Sequence, residues 1–306
     1  MYLEYHSDGH FEAATGTLRV DRTEGIVEYR SCMWIGDTKD GGASDWVTSI
    51  EGRELKRWRE EAGESEEMSL DYYEVIRKEA ANTRLEEPVH AHCHCHGVEF
   101  WITPPNEASF TAKSFVADLI LPYRLNSPLS RKYGSHWWLT NNNARYLAGT
   151  CACLSCRSAS GFDITFWAFI PNANIFLDAA CTQSFPPYTS EHRNQYWGTM
   201  KTYQSSEGVT RTFCGRCGAN VFWDGGEEKG RDGLIDVAVG LLDAKSGARA
   251  EELLGWCADR VSFEECAVNR GLVEALEKGL RDWAERVEGR GVSAWYNSWD
   301  HMHKVI

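Results

Sequence analysis

Residues 209–226 read VTRTFCGRCGANVFWDGG, and this stretch decides the fold. It reads as strand, metal knuckle, strand. Gly215 and Gly218 permit a tight turn whose backbone N–H groups face the sulfurs of Cys214 and Cys217. A redox CxxC normally opens a helix after a strand, whereas ANVFW after Cys217 looks like a second strand. A structural metal site in a β-rich protein is therefore expected. Such a zinc site is tetrahedral and takes four Cys or His ligands. The natural second pair is Cys93-x-Cys95, in HCHCHG.

A third group sits between them. TCACLSCRSASG, residues 150–161, places Cys151, Cys153 and Cys156 within six positions. Three protein ligands and one open position are the pattern of a working zinc site. Thiolates donate charge strongly, so this zinc would be a poor ioniser of water and better suited to capture a soft ligand such as a substrate thiol. The alternative is a closed structural site, with His192, His136, His94 or His96 as the fourth ligand. Arg157 either positions an anionic group or forms a salt bridge supporting the cysteines. Trp137, Trp138, Trp167 and Trp223 are candidates for pocket walls.

The chain has 306 residues, 42% hydrophobic and 25% charged, enough for a sizeable core in one large domain or two small ones. Its net charge is -13 and it has no basic cluster, which argues against nucleic acid as a partner. The opening MYLEYHSDGHFEAATG does not read as a secretory signal, and no apolar run is long enough to span a membrane. The expected location is cytoplasmic, where clustered thiols bind metal or react rather than form disulfides. Cys32, Cys181, Cys257 and Cys266, which stand alone, are expected to act as small buried hydrophobes.

Alternation marks TGTLRVD (15–21), GIVEYRSCMWI (25–35), HGVEFWITPP (96–105), SFVADLILPY (114–123), FDITFWAFIP (162–171) and IDVAVGLLD (235–243) as strands. EGRELKRWREEAG (51–63) and SLDYYEVIRKEAANTRL (69–85) read as short helices, and 126–147 as polar loop. Leu272, Leu276, Leu280, Trp283 and Val287 predict an amphipathic helix over about 270–288 that covers a sheet. HSDGHFEA at 6–13 faintly repeats CHCHGVEF at 93–100. Three regions follow: 1–88, a degenerate N-terminal repeat or accessory region; 89–250, an intact zinc-binding module with an insertion near 104–140; and 251–306, a helical extension packing on it.

The cysteine order, CHCHGVEF, CACLSCRSASG, FWAFIP, RTFCGRCGANVFW and IDVAVGLLD over about 93–243, resembles the glutathione-dependent formaldehyde-activating enzyme family, whose relatives include centromere protein V. The resemblance implies a mainly β fold with a few peripheral helices, the Mss4-like β-tent. It implies a structural zinc on Cys93, Cys95, Cys214 and Cys217, and a labile one on Cys151, Cys153 and Cys156 where a glutathione-type thiol adduct is handled. It also implies carbon–sulfur lyase activity. The chain departs from the family at Ala152, where a His is usual, in the long gap from Cys95 to Cys151, and in its extra first 85 residues.

The expected function is a zinc-dependent lyase acting on a small molecule, making or breaking a C–S bond at the three-cysteine zinc. One alternative is a tailoring enzyme of specialised metabolism that runs a dehydration, isomerisation or ring closure without glutathione. Another is a non-catalytic zinc-stabilised binding module. A nucleic-acid-binding zinc protein conflicts with the charge.

Overall fold

The computed structural model describes residues 3–5, 7–9, 11–18, 26–74, 85–114, 136–186, 196–258 and 260–286. The expected helix beyond residue 74, the expected strand beyond 114, His192 and Val287 lie outside these. The architecture is mainly β, as expected, with α-helices Leu154–Ser160 and Arg270–Arg286 among the described residues. No described helix is long and apolar enough to cross a membrane.

Two sheets carry the structure. The larger runs in the order Leu139–Thr140, Arg145–Cys151, Thr165–Pro171, Leu234–Ala238, Asn220–Asp224, Val209–Cys214, Met200–Ser206. Its neighbours on this path are antiparallel, and Leu254–Trp256 joins Arg145–Cys151 in parallel. All seven residues of Arg145–Cys151 are buried, which is why the strand shows no clean alternation. The smaller sheet orders Ile175–Phe176, Glu99–Ile102, Val89–His92, Leu242–Asp243. The chain passes from one sheet to the other through the 3-10 turn Val239–Leu241, which interrupts the expected strand 235–243.

Each sheet contributes one knuckle. The first links Val89–His92 to Glu99–Ile102, and the second links Val209–Cys214 to Asn220–Asp224. The second is the strand, turn and strand that the opening stretch predicted.

Helix Arg270–Arg286 buries Leu272, Leu276, Leu280 and Trp283, the apolar stripe read from the sequence. Trp46 packs edge-on against Trp283 at 5.6 Å and Trp256 at 4.8 Å. Gly279 lets the helix approach so closely that a Cβ there would lie 1.5 Å from the Trp46 carbonyl oxygen. A buried ionic network ties residues 40–57 to the C-terminal part. Asp45 accepts from Arg57 at 2.6 Å and from Arg249 at 3.0 Å, while Arg249 also donates to Glu251 at 2.7 Å and its amide donates to Asp40 at 2.8 Å.

Four expectations need correction. The lone cysteines are not buried: Cys32, Cys181 and Cys257 are half-buried and Cys266 is exposed. Residues 51–63 are no helix. Glu51 and Gly52 both take positive φ, 51° and 78°, and turn Ser49–Ile50 back onto Arg53–Glu54. Lys56–Arg57 then pairs with Ser31–Cys32, where the buried ion pair to Asp45 holds Arg57. Thr15–Thr17 is a 3-10 turn rather than a strand, because the Gly16 amide bonds to the Gly161 carbonyl at 2.8 Å and leaves no room for a side chain. The loop expected up to 147 contains Leu139–Thr140 and the start of the central strand at Arg145. Its polar residues mislead because Asn141, Asn142 and Asn143, all at positive φ, form the turn between these strands.

Candidate metal centres

Cys93, Cys95, Cys214 and Cys217 meet where the two knuckles face each other, with all four sulfurs within 4.8 Å of one another. The Cys93–Cys95 and Cys95–Cys214 sulfur separations are both 3.6 Å. Four sulfurs about 2.3 Å from a tetrahedral zinc stand about 3.8 Å apart, so the set fits that ion. The amides of Arg216 and Cys217 donate to Cys214 Sγ at 3.4 and 3.5 Å, and the Val98 amide to Cys93 Sγ at 3.4 Å. Thr199 Oγ1 lies 3.0 Å from Cys214 Sγ. Burial opposes ionisation of Cys214, but the Cys217 amide, the Thr199 hydroxyl and the Arg216 amide bring its thiol down to about 6. Burial pushes the Cys93 thiol the other way, up to about 12.

Cys151, Cys153 and Cys156 also converge, their sulfurs within 4.8 Å of one another. Cys151 ends the central strand. Cys153 caps helix Leu154–Ser160, accepting the Cys156 amide at 3.3 Å. Gly161, at φ 78°, closes that helix in the left-handed region and receives its chain reversal there. Hydrogen bonds from Cys151 and Cys153 hold the Cys156 thiol well below its usual range, and Arg211 adds to this by donating from Nη2 to Cys156 Sγ at 3.3 Å. The same sharing of protons pushes Cys151 well above it. A donor set of three converging thiols suits zinc, which takes up deprotonated sulfur.

The second group also borders a pocket. The three sulfurs of the second line a pocket of about 180 Å³. Trp167, Phe169, Trp223 and Phe263 form its apolar wall, and Arg211 and Asp236 its charged wall. Asp236 is ion-paired to Arg231, whose guanidinium lies 4.8 Å from the Trp223 ring and 5.4 Å from the Phe169 ring.

Among the residues expected at the site, Trp167 and Trp223 line the pocket, whereas Trp138 is core and Trp137 packs against Phe169 and Arg231. Arg157 does not line it. Its guanidinium bonds to Asp163 at 2.7 Å and to the carbonyls of Thr15, Gly16 and Leu18, tying the cysteine helix to the N-terminal segment. His136 packs on Phe110 and Trp138, and His96 stacks on His92, so neither joins the three thiols. Sequence reasoning missed Arg211 and Asp236. Arg211 alternates with Val209 along an inward strand face, and a lone charge in such a position was the available signal.

These features define a β-rich chain with two thiol clusters, one of four sulfurs between two knuckles and one of three that lines a pocket. The family model described as glutathione-dependent formaldehyde-activating enzyme matches residues 139–259, and the resemblance drawn from the cysteine order holds there. The match includes Cys151, Cys153, Cys156, Cys214 and Cys217 but begins after Cys93 and Cys95. No curated protein matches the chain.

Proposed function

We propose that this protein is a zinc-dependent enzyme that makes or breaks the carbon–sulfur bond of a small glutathione-type thiol adduct at Cys151, Cys153 and Cys156. One zinc, on Cys93, Cys95, Cys214 and Cys217, would be structural, and the other would be the working ion. The observation that carries the reading is the convergence of three sulfurs on one pocket. Three sulfurs meet in a pocket wall, and no fourth His, Cys, Asp or Glu joins them among the described residues. Zinc held there supplies a Lewis-acid position that keeps a captured sulfur as thiolate at neutral pH.

The chain's own residues do the rest. Arg211 offsets the negative charge of the thiolates through Cys156. Trp167, Phe169, Trp223 and Phe263 shield the carbon–sulfur bond from water. Asp236, oriented by Arg231, is the pocket carboxylate that can take a proton from an adduct hydroxyl. At about 180 Å³ the pocket is smaller than the roughly 300–1,000 Å³ of sites that enclose drug-sized ligands. It would take the sulfur and its small substituent, with the rest of the thiol across the mouth. Reduced thiols of this kind suit a cytoplasmic setting.

Calorimetric titration of zinc-loaded protein with glutathione and S-methylglutathione tests the reading. Glutathione should bind with proton release, S-methylglutathione should not, and Cys153→Ser should abolish the difference. Equal binding of both compounds, or of neither, would overturn it. An enzyme that dispenses with glutathione predicts that neither binds.

A further inference from the structure

Outside the cysteine centres, the outer face of the smaller sheet gathers a different donor set. Along Val89–His92 the even and odd positions divide: Val89 and Ala91 point into the core, and His90 and His92 are half-buried on the other face. Asp243, on the neighbouring strand, sits directly opposite His90 in the pairing register. One ring nitrogen from each imidazole and one Asp243 carboxylate oxygen thus come within 4.8 Å of one another. Strand alternation and register fix this arrangement, with no loop involved.

The surroundings hold the rings in place. His90 stacks on Trp101 at 4.7 Å and 14°, and His92 on His96 at 4.2 Å and 13°. Glu99 stands behind them, 2.8 Å from His96 Nδ1 and 3.5 Å from His90 Nε2. His90 Nε2 is enclosed and has no hydrogen-bond partner. Glu99, held by His96, stands 3.5 Å from His90 Nε2, close enough to serve as the carboxylate behind a metal-bound His90. Lys39 lies 3.4 Å from Asp243 Oδ1, but the pair is exposed and an ion can displace it at little cost.

We propose that His90, His92 and Asp243 form a third metal site, which takes a divalent first-row transition ion. Two imidazoles and one carboxylate suit nickel, zinc or copper, whereas calcium and magnesium call for more oxygen donors. Three protein ligands leave coordination positions open to water. The site has nitrogen and oxygen donors in place of sulfur, and it stands independently of the reading given for Cys151, Cys153 and Cys156.

The test is calorimetric titration, with nickel(II) chloride, of the full chain carrying only the two zinc equivalents of its cysteine centres, with protein-bound zinc quantified before and after. One equivalent of nickel should bind without release of zinc. His92→Ala and Asp243→Asn should each weaken that binding by about tenfold or more, since even outer-shell changes cost 10–100-fold. Circular dichroism should show both variants folded with their zinc retained. Absence of nickel binding, or uptake matched by zinc release, overturns the proposal. So does nickel affinity that survives Asp243→Asn, because imidazoles alone would then account for it.

Discussion

Arg211→Met isolates the contribution of a single charge to the open centre. The guanidinium is almost wholly buried, and its hydrogen bond to Cys156 Sγ measures 3.3 Å. Its Nε and Nη1 have no hydrogen-bond partner. Methionine keeps the length and apolar body of the side chain, so little cavity is left. What disappears is one charge-assisted hydrogen bond, worth about 1.5–3 kcal/mol. At 1.4 kcal/mol per factor of ten, zinc retention at Cys151, Cys153 and Cys156 should fall about 10–100-fold. Fold stability should change far less, because the substitution also removes two unpaired buried N–H groups. Competition with a graded series of chelators, read as zinc bound per chain, measures the loss. The zinc at Cys93, Cys95, Cys214 and Cys217 should persist through the same series. If the variant holds both ions like the wild type, or loses them together, the pairing of Arg211 with Cys156 does not support that centre.

Cys153→Ser should fold, lose about one zinc by elemental analysis, and lose activity. Cys217→Ser should unfold the module by circular dichroism, because structural zinc binding is folding free energy. Asp45→Ala strands the buried guanidiniums of Arg57 and Arg249 and should cost about 3–5 kcal/mol in urea denaturation; a loss under about 1 kcal/mol would mean that Asp40 and Glu251 suffice. Gly279→Ala should lower the melting temperature markedly, since its Cβ would lie 1.5 Å from the Trp46 carbonyl; an unchanged melting temperature would refute the close helix approach.

The cysteine spacing carried most of what was legible. Four thiols in two tight pairs had to meet to fill a tetrahedron, and that requirement joins strands more than a hundred residues apart. The C-terminal helix was legible because its buried face repeats at helical spacing. Residues 51–63 misled because Leu55 and Trp58 stand three apart by coincidence, while a turn at Glu51 and Gly52 and the distant Asp45 decide the local path. Across the first half of the faint repeat Leu3–Tyr5 pairs antiparallel with Phe11–Ala13, as Val89–His92 pairs with Glu99–Ile102 across the second. Arg157 and Arg211 are indistinguishable as letters. Only the folded chain shows that one binds the N-terminal segment and the other a thiol.

One strand, Val209–Cys214, serves both cysteine centres: Cys214 closes the first, and Arg211, three residues earlier, leans on the second. If both centres hold zinc as proposed, they are coupled through this one strand: losing the ion at Cys214 would loosen the end of the strand that seats the Arg211 guanidinium beside Cys156.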